Sequence, residues 1–155
     1  FVARAVDKDP NHLSSVLKQA YEHQGSSLVE IYQDCNIFNH GAFDEFSLKS
    51  NRANQTISLS QGQPLLFGAN KEHGLALRDE SLSRVAAEDA KNYTHDTSNL
   101  MAAMRLAELT FPDFPVPLGV YYQKVREAFS FPCEFKKTVD DLPGLYRSRA
   151  SWEQV

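Results

Sequence analysis

Leu28-Val29-Glu30-Ile31-Tyr32-Gln33-Asp34-Cys35-Asn36-Ile37-Phe38-Asn39 passes from a segment of strand character into a loop that sets one cysteine between asparagines. Its first six residues are apolar, β-branched or aromatic at most positions and predict a strand. A thiol carried past the carboxyl end of a buried strand lies where open α/β sheets bind their ligands. Upstream, Phe1-Val2-Ala3-Arg4-Ala5-Val6 reads as another strand. Between the two, Asp9 suits an N-cap and Pro10 the first helical position, where its missing N–H would be unpaired anyway. Leu13, Val16, Leu17 and Ala20 follow at helical spacing, and Gly25 is expected to close the helix in a left-handed conformation. The crossover is long enough for a parallel pair. Both strands are largely apolar, so both sheet faces need cover, and one helix cannot supply it. The first forty residues therefore read as the end of a larger parallel sheet. The chain opens without an initiator methionine, inside a strand, which suggests a fragment.

The 155 residues carry a net charge of −4 and the balance of an ordinary soluble domain, enough for one domain or two small ones. That charge gives no long-range attraction to nucleic acid or to an anionic membrane. No apolar stretch approaches the roughly 18 residues that span a bilayer, and no secretory pattern opens the chain. The chain is read as cytoplasmic. Of its two cysteines, Cys35 and Cys133, neither belongs to a Cys-x-x-Cys pair, so neither a zinc site nor a complete iron–sulfur site can be built from this chain alone. A disulfide between them is not expected in a reducing compartment.

From His40 onward the texture changes. Leu65-Leu66-Phe67-Gly68 and Gly74-Leu75-Ala76-Leu77 predict short strands or turns, Ser81 to Asn92 a polar helix, and Thr97 to Leu109 an amphipathic helix with Leu100, Ala103, Met104 and Ala107 on its apolar face. The alternate prolines of Phe111-Pro112-Asp113-Phe114-Pro115-Val116-Pro117 end that helix. Leu118 to Val125 is open between strand and helix, and the tail from Glu134 is charged.

By position alone Cys35 reads more often as a small buried hydrophobe than as a nucleophile or ligand. His40 is five residues on, yet no known nucleophile motif surrounds it. Cys133, in Phe131-Pro132-Cys133-Glu134, reads as a packed thiol. The five histidines, His12, His23, His40, His73 and His95, are scattered and make no metal-binding pair. His95-Asp96 reads as a turn before the helix that begins near Leu100. The glycines make no phosphate-cradling spacing. Phe111, Phe114, Tyr121, Tyr122, Phe129 and Phe131 read as a satellite core or subunit contact, with a stacking surface for a planar cofactor as the alternative.

Taken together, Phe1-Val2-Ala3-Arg4, the crossover helix and the string from Val29 to Asn39 resemble the β subunit of 2-oxoacid:ferredoxin oxidoreductases. Gln63-Pro64-Leu65-Leu66-Phe67-Gly68, His95-Asp96 and Phe114-Pro115-Val116-Pro117-Leu118-Gly119-Val120 look like that family's carboxyl-terminal extension. The resemblance implies an α/β fold, with residues 1–43 as the last strand–helix–strand unit of a parallel-sheet thiamine diphosphate-binding domain. Residues 44–130 are then an irregular α+β C-terminal extension; the resemblance does not reach 131–155, which composition reads as a charged tail expected to be mobile. It assigns Cys35 as the last ligand of a [4Fe–4S] cluster, and because amides near a cluster sulfur tune its potential, Asn36 or Asn39 is expected beside it. The family's other cluster cysteines and its Gly-Asp-Gly motif for thiamine diphosphate and Mg²⁺ have no counterpart here, so this chain alone is expected to hold neither cofactor. The whole enzyme, as the resemblance implies it, decarboxylates a 2-oxoacid of the 2-oxoglutarate or pyruvate type oxidatively to an acyl-CoA. Electrons leave through the cluster to ferredoxin or flavodoxin. Partners would be the rest of the β subunit and an α, in some members also a γ, subunit. Two readings compete with it: a non-catalytic protein–protein interaction module in which Cys35 is structural, and a small cysteine hydrolase.

Overall fold

The computed structural model describes residues 1–127. Strand β1 (Val2–Val6), helix α1 (Pro10–Glu22) and strand β2 (Leu28–Tyr32) form the expected unit, the strands parallel and in register from Val2 opposite Leu28 to Val6 opposite Tyr32. The Asp9 carboxylate accepts the His12 N–H at 3.2 Å and Pro10 opens the helix, as the sequence dictates. The helix stops earlier than expected. His23, its C-cap, is already extended, and Gly25 (φ 126°) instead turns the chain into β2.

Val16 anchors α1 to one sheet face, packing with Phe1, Ala3 and Val120 while Ala20 and Val29 lie partly buried beside them. The apolar stripe read from the sequence is wider than the face covered, since Leu17 stays 45% exposed. Two short helices, α2 (Asp44–Ser47) and α3 (Lys49–Gln55), lead to β3 (Thr56–Leu59). Then come β4 (Leu66–Phe67), β5 (His73–Arg78), β6 (Ser81–Ala86), the short α4 (Ala87–Ala90), α5 (Leu100–Ala107) and β7 (Val116–Tyr122).

The main sheet has the order β2-β1-β7-β3; β1 and β7 are antiparallel and the other two pairs parallel. It is therefore mixed and only partly parallel. Strands β4, β5 and β6 form a small antiparallel sheet. The largest core joins the two, with Ile57 and Leu59 of β3 and Tyr121 of β7 packed against Phe67, Leu75, Leu82, Ala103 and Leu106. Strand β2 has no outer neighbour among the described residues, and Leu28 there is 64% exposed.

Two expectations need correction. Ser81–Ala86 is a strand rather than the start of a polar helix, because Asp79 and Glu80 both take positive φ (46° and 68°) and turn β5 straight back into β6. Helix α5 begins at Leu100 behind the N-cap Asn99, whose side chain accepts the Ala102 N–H at 3.1 Å. It buries Ala102, Ala103 and Leu106, not the stripe through Leu100 and Met104, which are 54% and 50% exposed. Small side chains on the inner face let the helix approach the sheet. The segment left open between strand and helix is β7, a central strand that begins inside the proline run. Pro117 is tolerated because pairing with β1 reaches only Gly119, leaving β3 as its one neighbour. Gly119 (φ 122°) then permits close approach of β3, since a Cβ there would sit 2.7 Å from Leu59 O.

Candidate functional site

Strands β1 and β2 end side by side, and the chain beyond them is tied together. The Asp7 N–H donates to Tyr32 O at 3.0 Å, and the Asp34 N–H donates to Asp7 Oδ2 at 2.9 Å. Cys35 follows directly, placed by the end of a paired strand as the sequence implied. The Asn39 N–H donates to Cys35 O at 2.9 Å, and the two residues form an antiparallel bridge that folds 35–39 into a tight loop.

That loop aims backbone amides at the thiol. Hydrogen bonding from the Phe38 and Ile37 amides, with a smaller contribution from Asn39, holds the Cys35 thiol below its ordinary pKa. Partial desolvation and the neighbouring Asp34 charge push the other way. Cys35 is partly exposed, while Ile37 and Phe38 are 82% and 89% exposed at the loop tip. The loop therefore presents a partly exposed thiol with a lowered pKa beside two large exposed apolar side chains. The Asn36 and Asn39 side chains are exposed on the same loop, whose Asn39 backbone makes the closing bond.

A charged network that sequence reading missed holds the loop in place. Asp34 Oδ1 accepts the Gly41 N–H at 2.8 Å, and Asp34 Oδ2 lies 3.2 Å from His40 Nδ1 and 3.6 Å from Lys8 Nζ. Lys8 also pairs with Asp44. The Gly41 hydrogen bond above all, with His40 and Lys8 adding to it, keeps the Asp34 carboxyl below its ordinary pKa. Arg52 braces the same corner, with Nη1 2.5 Å from Asp9 Oδ2 and Nη2 donating to Lys8 O and Ser47 O at 2.7 and 2.8 Å. Lys8 lies 26 and 36 residues from Asp34 and Asp44, and Arg52 43 and 44 residues from Asp9 and Lys8, so no local pattern announces these pairs.

The other candidates go elsewhere. His40 is engaged by Asp34, and no group of three or more histidine, cysteine, aspartate or glutamate side chains suited to a metal ion occurs among the described residues. Asp96 Oδ1 accepts from the Ser98 N–H and Oγ at 2.9 and 2.8 Å, the expected turn before α5. His95 is buried, its Nε2 2.7 Å from Val120 O, and burial lowers its pKa. It is a strut between that turn and β7, with no signature in the sequence because its partner is a backbone carbonyl. The aromatic group divides: Phe111 packs edge-on against Phe46 at 5.4 Å near Val6, whereas Phe114 and Tyr122 pack on the core around Tyr121. Among the described residues its members make no single stacking surface; Phe129, Phe131, Cys133 and the charged tail lie outside the described residues. Arg4, unremarked in the sequence, lies between the rings of Tyr32 and Tyr121 at 5.3 and 5.1 Å and donates to Tyr121 Oη at 2.7 Å. A polar cleft of about 290 Å³ between α1 and the β3–β7 edge, lined by Ser15, Gln19, Ser60, Gln61 and Gln123 among others, does not include Cys35.

No helix among the described residues is long and apolar enough to cross a membrane. No protein-family model and no solved structure matches the sequence. A curated relative does: the 2-oxoglutarate oxidoreductase subunit KorB of Mycobacterium tuberculosis is 37% identical over 118 residues, covering 70% of this chain and 31% of that protein. The chain thus spans about a third of the length of the relative it matches.

Proposed function

We propose, from the chain's homology to a β subunit of the 2-oxoacid:ferredoxin oxidoreductases, that it forms the part of such a subunit that contributes Cys35 as one ligand of a [4Fe–4S] cluster. The observation that carries this reading is the placement of Cys35, partly exposed directly after β2 in a tight loop closed by the 2.9 Å bond from the Asn39 N–H to Cys35 O. Clusters of this kind are held by thiolates, and hydrogen bonds to sulfur and solvent exposure set their potentials. A thiol already biased toward thiolate suits that role. Cys35 is the only cysteine among the described residues, so the remaining ligands come from the rest of the subunit.

Thiamine diphosphate and Mg²⁺ belong to that remainder too, since the described residues offer neither a phosphate-cradling glycine loop nor a cluster of metal-competent side chains. When bound, the cofactors supply the carbonyl chemistry and the one-electron transfer. The residues of this chain position Cys35, keep its charge tolerable and present Ile37 and Phe38 to a covering surface. In this reading residues 1–43 complete the thiamine diphosphate-binding domain and the following residues form the extension, with Asn36 or Asn39 close to the cluster. The complete enzyme is cytoplasmic, works with an α subunit and in some members a γ subunit, and converts a 2-oxoacid and CoA to an acyl-CoA while reducing ferredoxin or flavodoxin.

The exposed Ile37 and Phe38 are also what a non-catalytic interaction module would show. Activity separates the two. The complex purified with its partner subunits is expected to reduce a viologen dye with 2-oxoglutarate or pyruvate, dependent on CoA. Absence of 2-oxoacid-dependent reduction in an iron-replete complex would favour the module.

A further inference from the structure

Strand β2 has no outer neighbour among the described residues, yet it is not built as a sheet edge. The Leu28 N–H donates to Phe1 O at 2.8 Å and the Asp7 N–H donates to Tyr32 O at 3.0 Å, one bond at each end of the parallel β1–β2 ladder. These bonds fix the alternation between them. Leu28, Glu30 and Tyr32 turn their backbone groups toward β1, so the N–H and C=O of Val29 and Ile31 point outward. Exposed edges are normally blunted by lysine, proline, a bulge or an inward charge. Strand β2 has none of these: its register with β1 is unbroken, and its one charged side chain, Glu30, is taken up by Arg4 at 2.6 Å. Leu28 and Ile31 are exposed on opposite faces of the strand. Beside Leu28 an apolar hollow of about 470 Å³ is lined by Val2, Ala107 and Tyr121. The other edge of the sheet is different. In β3 the polar Thr56 and Ser58 alternate with buried Ile57 and Leu59, as a strand with one wet face should.

We propose that β2 is an interior strand of the assembled protein, its outer edge paired with a strand of the same subunit that lies outside these 155 residues. The inference rests on the chain being part of a larger β subunit and deepens that reading by naming the seam along which the two parts join. Length allows it: the matched stretch is 31% of the KorB relative, so a subunit of that size has ample chain to supply the strand. Strands apolar on both faces belong to sheets covered on both sides, and α1 covers only one. The hollow over Val2, Leu28, Ala107 and Tyr121 is then closed by the same added segment. A second copy of this chain fits the edge poorly. Two-fold pairing of β2 with itself is antiparallel, and the register that sets the outward groups of Val29 against those of Ile31 places Glu30 directly opposite its own copy. Like charges so placed are destabilising. With the seam filled, Cys35 leaves the carboxyl end of an interior strand, where open α/β sheets bind their ligands.

Backbone hydrogen exchange in the complete subunit with its partners tests this, read residue by residue by fragmentation mass spectrometry. A free edge leaves the Val29 and Ile31 amides exchanging much faster than those of Glu30 and Tyr32, which face β1. A filled seam protects all four alike, with Val29 and Ile31 slowed at least about a hundredfold relative to an unfolded chain. The occupant is identified in the same complex by placing the photo-crosslinking residue benzoylphenylalanine at the exposed Leu28. The expected product is a cross-link to residues of the same subunit outside 1–155. Fast exchange at Val29 and Ile31 would overturn the proposal. So would cross-links confined to residues 1–155, to a partner subunit or to a second copy of this subunit. Iron, measured in the same sample, keeps the two readings apart. A subunit without a cluster but with a protected seam loses only the ligand assignment, whereas a full cluster beside a fast-exchanging β2 removes only the seam.

Discussion

The Asp7 carboxylate reaches across the ends of two parallel strands to accept the Asp34 N–H at 2.9 Å, so β1 fixes the residue that precedes Cys35. Asp7→Ala should cost about 1.5–3 kcal/mol in urea unfolding, the usual range for losing a hydrogen bond to a charged group. Asp7→Asn, which keeps an acceptor oxygen, should recover most of that loss. Equal losses in the two variants would mean that the charge, not the bond, holds the corner.

Asp9 carries two duties, capping α1 through the His12 N–H and pairing with Arg52 at 2.5 Å. Asp9→Ala is expected to destabilise by about 1–2 kcal/mol, at the upper end for an N-cap. Arg52→Lys should also destabilise, because one ammonium cannot reproduce the fork that binds Asp9, Lys8 O and Ser47 O together. Thermal unfolding of both variants and of the pair tests this, and the double variant should fall short of the sum of the singles.

Gly119 and Gly62 both have positive φ, at 122° and 72°, but only Gly119 is crowded. Gly62→Ala meets nothing within 4 Å and should lose roughly 1 kcal/mol from backbone strain. Gly119→Ala would drive a methyl against Leu59 O, 2.7 Å away, and should lose at least about 2–3 kcal/mol by separating β3 from β7. Chemical denaturation showing equal losses would contradict the close strand approach.

Burial lowers the pKa of His95, and of His12 by the same cause. A histidine with a depressed folded pKa stabilises the fold above its unfolded value, near 6.5, and that stability is lost as pH falls toward the folded value. Stability should therefore drop below about pH 6.5, and His95→Gln, which can still donate to Val120 O, should flatten part of the drop while His12 retains the rest. An unchanged slope in His95→Gln would remove His95 from the acid response.

The strand–helix–strand unit was legible because its signals are local: two apolar runs, Asp9 before Pro10, and a stripe at helical spacing. Strand β7 was not, because Pro117 and Gly119 are strand breakers read alone and become acceptable only beside β3 and near a bulge, where Tyr121 is the extra residue between the pairs Val2–Tyr122 and Ala3–Val120. Strand β6 was hidden for a related reason. Asp79-Glu80 lacks the glycine that normally marks a two-residue hairpin, yet both residues adopt the left-handed conformation the turn needs. At the site, Cys35 could be picked out from the strand that delivers it and from the family string around it. Lys8, Asp7 and Arg52 could not, since their partners lie 26 to 44 residues away for the bonds that matter most.

The central claim is that Cys35 binds iron. The most direct measurement is the iron and acid-labile sulfide content of the complete subunit carrying Cys35→Ser, purified anaerobically with its partners beside the unaltered protein. Loss of most of the brown absorbance and of the iron, with the subunits still assembled, is the expected result. Full iron and sulfide content in the variant would contradict the claim.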